Sequence, residues 1–244
     1  MKLTDQVFLV GSANFCISHD LDSNVYVVDC GEELVMIDAG GGCSVEALIR
    51  NMERHDLDPR KLKKVLLTHS HSDHAAGAHE LQQRFQTDIF IGEEDADIVE
   101  KGTEKDLGLD LAKAIGFYPP DYRFNHCKVS VRLRNNDEIR CGSHTFRAIH
   151  TPGHSKGSYS YFVALNQGKA LFSGDAVFAE GKLFLTNMEG SELSDYRRTI
   201  PRLADLQIDM LFPGHKVFCL ADGQRAIDTA IENLKKIRLP PNFV

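Results

Sequence analysis

The sequence has no C-x-x-C pair, no surplus of positive charge, no long apolar run and no Gly-Ser linker. Its six cysteines, Cys16, Cys30, Cys43, Cys127, Cys141 and Cys219, are scattered singly, which excludes a zinc ribbon and a thioredoxin-like redox motif. Reduced, partly buried thiols are expected instead, since a chain of 244 residues can bury a core that needs no disulfides. Lys and Arg number 28 against 35 Asp and Glu, giving a net charge of -7. That balance counts against a nucleic-acid partner, which would call for a positive stripe to displace counterions. No apolar run approaches the roughly 18 residues of a membrane span, and "VFLV" near the start is too short for a signal-peptide core. The chain therefore reads as soluble and cytoplasmic, and its 42% hydrophobic content argues against disorder.

What is present is a rhythm of short β-rich runs. "QVFLVG", "NVYVVDC" and "ELVMIDAG" read as strands. "SVEALIRNMERH" then places Val45, Leu48, Ile49 and Met52 at helical spacing behind Ser44 as N-cap. "KKVLLTH", "AGAHELQQRF", "DIFIG" and "DADIVEKG" continue as strand, helix, strand, helix. From 104 to 125 the pattern weakens: a helical "DLGLDLAKAIGF" precedes the paired prolines of "YPPDYRFNH", which suggests an insertion or lid. Strands return at "KVSVRLR", "HTFRAIHT", "SYSYFVAL" and "KALFSGD". A helix near "LSDYRRTIPRLADL", a strand "DMLFPGH" and a helix "DGQRAIDTAIENLKKI" close the chain. Two strand-rich halves that each carry helices predict an α+β, four-layered αββα sandwich, and no composition shift divides 1–244 into more than a single domain.

The stretch "THSHSDH" concentrates His69, His71, Asp73 and His74 between a strand and a helix. Imidazoles and a carboxylate crowded at a strand end would be costly to bury alone, and a bound cation relieves that cost. Nitrogen and carboxylate donors suit zinc, and also iron or manganese. Three later segments place a further donor just past an apolar strand and a glycine: "TPGH" at His154, "SGD" at Asp175 and "PGH" at His215. Gly40, Gly41 and Gly42 do not space as a dinucleotide fingerprint. Asp38 in "IDAGGG" fits either a turn with those glycines or support of a metal ligand, and Thr68 fits a bond to a ligand or to the loop backbone. His150 reads as a hydrogen-bonded core or supporting residue, and His79, His126 and His144 as surface residues.

These four motifs, in this order, resemble the metallo-β-lactamase-fold hydrolases, in their dinuclear glyoxalase-II-like branch. The resemblance covers nearly the whole chain and implies two divalent metal ions, zinc first, with iron or manganese as alternatives. It implies His69, His71 and His154 on one ion, Asp73, His74 and His215 on the other, and Asp175 bridging them. It further implies a hydrolase whose bridging hydroxide attacks a small carboxylic ester, thioester or lactone, with Asp73 as a catalytic residue orienting the water. A phosphodiesterase with the same metal site and a metal-binding regulatory protein with little turnover are the alternatives. The expected partner is a small-molecule substrate, with no nucleic acid and no membrane; a homodimer is common among look-alikes.

Departures from related branches refine the expectation. Glutathione-thioester hydrolases carry a C-terminal helical domain, whereas only 29 residues follow His215 here (244 minus 215). Acyl-homoserine lactonases have tyrosine three residues after the bridging aspartate, where this chain has Phe178. Antibiotic-hydrolysing members lack the residue corresponding to Asp175. Flavo-diiron proteins have glutamate in place of His71, and RNA-processing members add a basic arm. "GKLFLTNM" at 181–188, with Phe117, Tyr118 and Tyr122, could supply an apolar substrate wall, and Lys156 and Lys216 could meet an acidic group.

Overall fold

A computed structural model describes residues 1–236 and 239–242. Internal contacts divide the chain into two compact units, Met1–Leu133 with Cys141–Ser143, and Arg134–Arg140 with His144–Val244. Among the described residues, no helix is long and apolar enough to cross a membrane.

The first unit is built on strands β1 (Val7–Gly11), β2 (Val25–Asp29), β3 (Leu34–Ile37), β4 (Leu62–Leu66), β5 (Asp88–Gly92) and β6 (Val131–Leu133), ordered as in the sequence. The pairs β1–β2 and β2–β3 are antiparallel. The pairs β3–β4, β4–β5 and β5–β6 are parallel, so each demands a crossover. Helix α1 (Val45–Glu53) makes the first of these; it buries Val45, Leu48, Ile49 and Met52, the four residues its spacing singles out. Ser44 stands at its N-cap without a side-chain capping bond.

The His-rich stretch opens as a single turn, α2 (Ser72–Ala75), and the chain continues as α3 (Ala78–Phe85). Gly77 separates them because a Cβ there would lie 2.0 Å from the Ala39 carbonyl oxygen. α4 (Glu93–Lys101) and α5 (Leu109–Ala114) complete the unit. The expected strand over "KVSVRLR" shortens to β6. The segment after α4 does not hang free, since Leu107, Leu109, Tyr118 and Tyr122 form a buried cluster with Ala76.

The second sheet runs β11-β10-β9-β8-β7, from β7 (Glu138–Cys141), β8 (His144–His150), β9 (Tyr159–Leu165), β10 (Gly168–Gly174) and β11 (Met210–Pro213). The pairs β8–β9 and β9–β10 are antiparallel and β10–β11 is parallel. β7 was not expected, because only Ile139 and Cys141 of its four residues are buried. The helix expected over "LSDYRRTIPRLADL" is broken in two, α6 (Leu193–Thr199) and a 3-10 segment from Ile200 to Leu206. Pro201 has no N–H to continue the α pattern. α7 (Gln224–Leu234) covers the sheet's apolar cluster with Ala226, Ile227, Ala230 and Leu234; Ile237, at the end of the expected helix, lies outside the described residues.

Candidate metal centre

In each unit the polar groups of interest sit just past the C-terminal ends of strands, where open sheets expose backbone and admit ligands. Asp38 follows β3, and His69, His71, Asp73 and His74 follow β4. His154 comes after β8, Asp175 directly after β10, and His215 after β11.

In the first unit, Asp38 organises the others. It adopts the left-handed conformation (φ +60), which an aspartate tolerates better than most residues. Its buried carboxylate accepts three donors: Thr68 N at 2.7 Å, Thr68 Oγ1 at 2.9 Å and His74 Nδ1 at 2.8 Å. Thr68 Oγ1 gives its only proton to Asp38, so it can only accept from His69 Nδ1, 3.0 Å away. His69 and His74 therefore both carry a proton on Nδ1, and both turn Nε2 toward the neighbouring polar groups. His69 Nε2 lies 3.0 Å from His71 Nδ1, and His74 Nε2 lies 3.5 Å from Asp73 Oδ2. His69 and His74 are fully buried. Asp38 thus bonds directly to His74, and Thr68 joins it to His69.

Two further groups steady this loop. Asp95 on α4 accepts the Ser70 N–H at 2.8 Å. The Tyr118 hydroxyl donates to Asp73 Oδ1 at 3.3 Å. Burial, reinforced by the Asp73 charge, pushes the Tyr118 phenol well above its ordinary pKa, so it stays a donor. Asp95 had a signal in the sequence: it shares the buried side of α4 with Val99 at i, i+4 spacing. Tyr118 was expected only as a wall residue.

In the second unit, His154 Nδ1 donates to the Phe184 carbonyl at 2.8 Å, with Nε2 3.5 Å from Asp175 Oδ2. His215 Nε2 stands 3.5 Å from the same oxygen. The Tyr196 hydroxyl points to two backbone carbonyls, those of Asp175 at 3.2 Å and Phe184 at 3.1 Å. Its ring lies against Gly153, where a Cβ would come within 2.5 Å of it. No sequence pattern marks Tyr196, because a tyrosine on the apolar side of a helix reads as core. Phe184 stacks on His154 at 4.7 Å between centroids and meets His215 edge-on at 6.2 Å, so "GKLFLTNM" places an aromatic ring against both histidines. Phe178 packs edge-to-face on Phe184.

The remaining expected residues fall elsewhere. His150 is stacked on Tyr159 and bonded to the Lys156 carbonyl. His79, His126 and His144 each turn Nδ1 to a backbone carbonyl. Lys156 and Lys216 are exposed. The stretch Gly153–Gly157 happens to spell the G-x-S-x-G pattern of serine hydrolases. Ser155, however, is buried against Ser158 Oγ at 2.7 Å and lies between two strands, not on a strand-to-helix elbow.

The donor set fits a divalent cation. Ligand atoms about 2.1 Å from one tetrahedral ion stand roughly 3.4 Å apart. The pairs His74–Asp73, His154–Asp175 and His215–Asp175 are each spaced at 3.5 Å. For His74 and His154 the Nδ1 proton is committed to Asp38 and to the Phe184 carbonyl, so Nε2 is the nitrogen that faces the carboxylate. A proton on Nε2 would draw each pair to about 2.8 Å, whereas a cation held between the two atoms fits the 3.5 Å observed.

Comparison with known proteins agrees. The family model described as the metallo-beta-lactamase superfamily matches residues 20–215. The chain is 30% identical over 163 residues to a probable polyketide biosynthesis zinc-dependent hydrolase of Bacillus velezensis, covering 66% of this chain and 59% of that one. It is 25% identical over 213 residues to an acyl-coenzyme A thioesterase of Homo sapiens, covering 79% and 72%. Across the first three curated relatives the match spans 65%, 59% and 55% of their lengths. Among solved structures, a subclass B3 metallo-beta-lactamase of Bradyrhizobium japonicum superposes with a TM-score of 0.73 at 22% identity, covering 95% of this chain and 89% of that one. That likeness shows the fold, the one expected from the motifs.

Proposed function

Because the chain belongs to the metallo-beta-lactamase superfamily, we propose that it is a dinuclear metal-dependent hydrolase of small carboxylic thioesters, esters or lactones, thioesters foremost. The observation that carries this reading is the repeated 3.5 Å spacing between an imidazole Nε2 and a carboxylate oxygen, at His74–Asp73 and again at His154–Asp175. The reading assigns His69, His71 and His154 to one ion, Asp73, His74 and His215 to the second, and Asp175 to both. Zinc is the preferred ion: the donors are imidazole and carboxylate, and the Bacillus relative is described as zinc-dependent.

Bound ions of this kind make water nucleophilic near neutral pH and polarise a carbonyl. The protein's own residues do the rest. Asp38, Thr68 and the Phe184 carbonyl hold the imidazoles in the tautomer that presents Nε2. Asp73 orients the attacking water. Phe184 and Phe178 offer apolar surface and no proton donor, which suits a leaving group that departs without one. A thiolate does so far more readily than an alkoxide, since thiols ionise near pH 8.5. The human relative's described activity is on an acyl-CoA thioester.

The test is metal analysis of the purified protein, with hydrolysis of an acyl-CoA, an aryl ester, a lactone and a bis-aryl phosphate before chelation, after it, and after zinc is restored. About two metal ions per chain and chelator-sensitive thioester hydrolysis are expected. Preference for the phosphodiester would move the reading to phosphorus chemistry, and metal without turnover would leave a binding protein.

A further inference from the structure

Asp73 has two carboxylate oxygens with different partners. Oδ2 stands 3.5 Å from His74 Nε2, whereas Oδ1 accepts the Tyr118 hydroxyl at 3.3 Å. An aspartate turns easily about its terminal torsion, so nothing in Asp73 itself decides the plane of its carboxylate. The phenol does decide it, provided the phenol is itself fixed.

Tyr118 is only 4% exposed. Its ring lies 4.5 Å from that of Tyr122, and the Tyr122 hydroxyl donates to the Gly41 carbonyl at 2.8 Å, in the glycine turn after Asp38. Leu107, Leu109 and Ala76 belong to the same buried cluster as the two tyrosines. The segment expected as a lid is thus pinned to the loop beneath it by two phenols, one of which ends on Asp73. The paired prolines Pro119 and Pro120 between them stiffen the connection, because each fixes φ.

We propose that Tyr118 is a positioning residue: its hydroxyl anchors one carboxylate oxygen of Asp73 and so fixes the angle at which the other stands beside His74 Nε2. The proposal rests on the reading above that Asp73 and His74 serve one ion. It makes 104–125 a structural part of the site, not a cover over it. A carboxylate free to rotate would lose its fixed angle to the ion and to the water it orients, while substrate contacts would stay as they are.

Two single-atom deletions separate this from general packing. Tyr118→Phe removes the hydroxyl on Asp73 and keeps the ring. Tyr122→Phe loosens the same segment without touching Asp73. Both are compared with the parent after loading with cobalt(II), whose visible absorption reports ligand geometry directly, and by steady-state kinetics on an acyl-CoA thioester. Tyr118→Phe is expected to alter the cobalt spectrum and lower kcat roughly tenfold or more, with KM within about twofold, as fits loss of a hydrogen bond to a charged group. Tyr122→Phe should keep the parent spectrum.

A Tyr118→Phe protein with the parent spectrum and kcat overturns the proposal. So does a Tyr122→Phe protein that reproduces both changes, since packing would then be the cause. If the parent takes up cobalt but hydrolyses nothing, the functional reading fails while the spectra still decide the role of Tyr118; a parent that takes up no cobalt overturns both.

Discussion

The Asp38 carboxylate accepts the Nδ1 proton of His74 at 2.8 Å, and this one bond leaves Nε2 as the nitrogen that faces Asp73. Asp38→Asn keeps the size and the tolerance for the left-handed backbone, yet places an amide where His74 and Thr68 need an acceptor. The imidazole is then driven to carry its proton on Nε2, the wrong side. Metal affinity is expected to fall roughly 10–100-fold, read by competition with a chromophoric chelator, while circular dichroism stays that of the parent. Unchanged affinity would remove Asp38 from the support of the site.

Asp175 should separate function from folding. It is 1% exposed, with His154 and His215 each 3.5 Å from Oδ2. Buried charge of this kind is weak evidence for stability, whereas the proposed function makes Asp175 a metal ligand. Asp175→Ala is expected to lower kcat/KM by roughly 100-fold or more, with the Tm of the metal-free protein within a few degrees of the parent. Near-normal turnover would take Asp175 out of the mechanism.

Metal removal should be visible in stability as well as activity. An ion that binds the folded chain and not the unfolded one adds about 2.7 kcal/mol at a hundredfold excess over Kd, equivalent to roughly 5–10 °C in Tm for a chain of this size. Dialysis against chelator should lower the Tm by that order, and zinc should restore it. A Tm indifferent to chelator and zinc would show that no structural debt is carried by the donor cluster.

How far the sequence foretells this architecture differs between motif and support. His69, His71, Asp73 and His74 are adjacent in the chain, so their clustering is visible in one line of text. His154, Asp175 and His215 each follow an apolar strand and a glycine, a local signature that survives their wide separation. Helix α1 is legible because a sharp apolar stripe forms it. Tyr196 and Tyr118 are not, since each acts through a contact made only in the folded chain, with Asp175 and Phe184 or with Asp73. β7 escapes notice because its half-exposed Glu-Ile-Arg-Cys lacks β-branched density.

A pH-dependent contribution comes from Glu33. Burial by itself would raise its pKa, but hydrogen bonds from Lys64 Nζ at 2.7 Å and from Gly142 N at 2.6 Å outweigh that and hold it below its ordinary value. A carboxyl with a lower pKa folded than unfolded stabilises the fold above the unfolded value of 4.5, and that stabilisation disappears as pH falls through the folded value. Glu33→Gln is expected to lower Tm by roughly 2–4 °C at pH 7. The two proteins should converge on acidification. A Tm difference that persists at the lowest pH where both still fold would assign the effect to shape, not charge.

Gly153 supplies the most stringent test of the second unit. It holds φ +151, and a Cβ there would lie 2.5 Å from Cγ of Tyr196. The ring has nowhere to retreat, being fully buried and tied by its hydroxyl to the Asp175 and Phe184 carbonyls. Gly153→Ala should therefore cost roughly 2–3 kcal/mol, from overpacking and backbone strain together, measured as the shift in urea midpoint at unchanged slope. The cause is isolated by repeating the substitution in a Tyr196→Ala background, where the ring is gone. There the added cost should fall to the backbone share alone, a positive coupling between neighbours in direct contact. Equal costs in the two backgrounds would mean that the glycine is required by its own backbone angle, and that Tyr196 reaches the Asp175 carbonyl without needing Gly153 to make room.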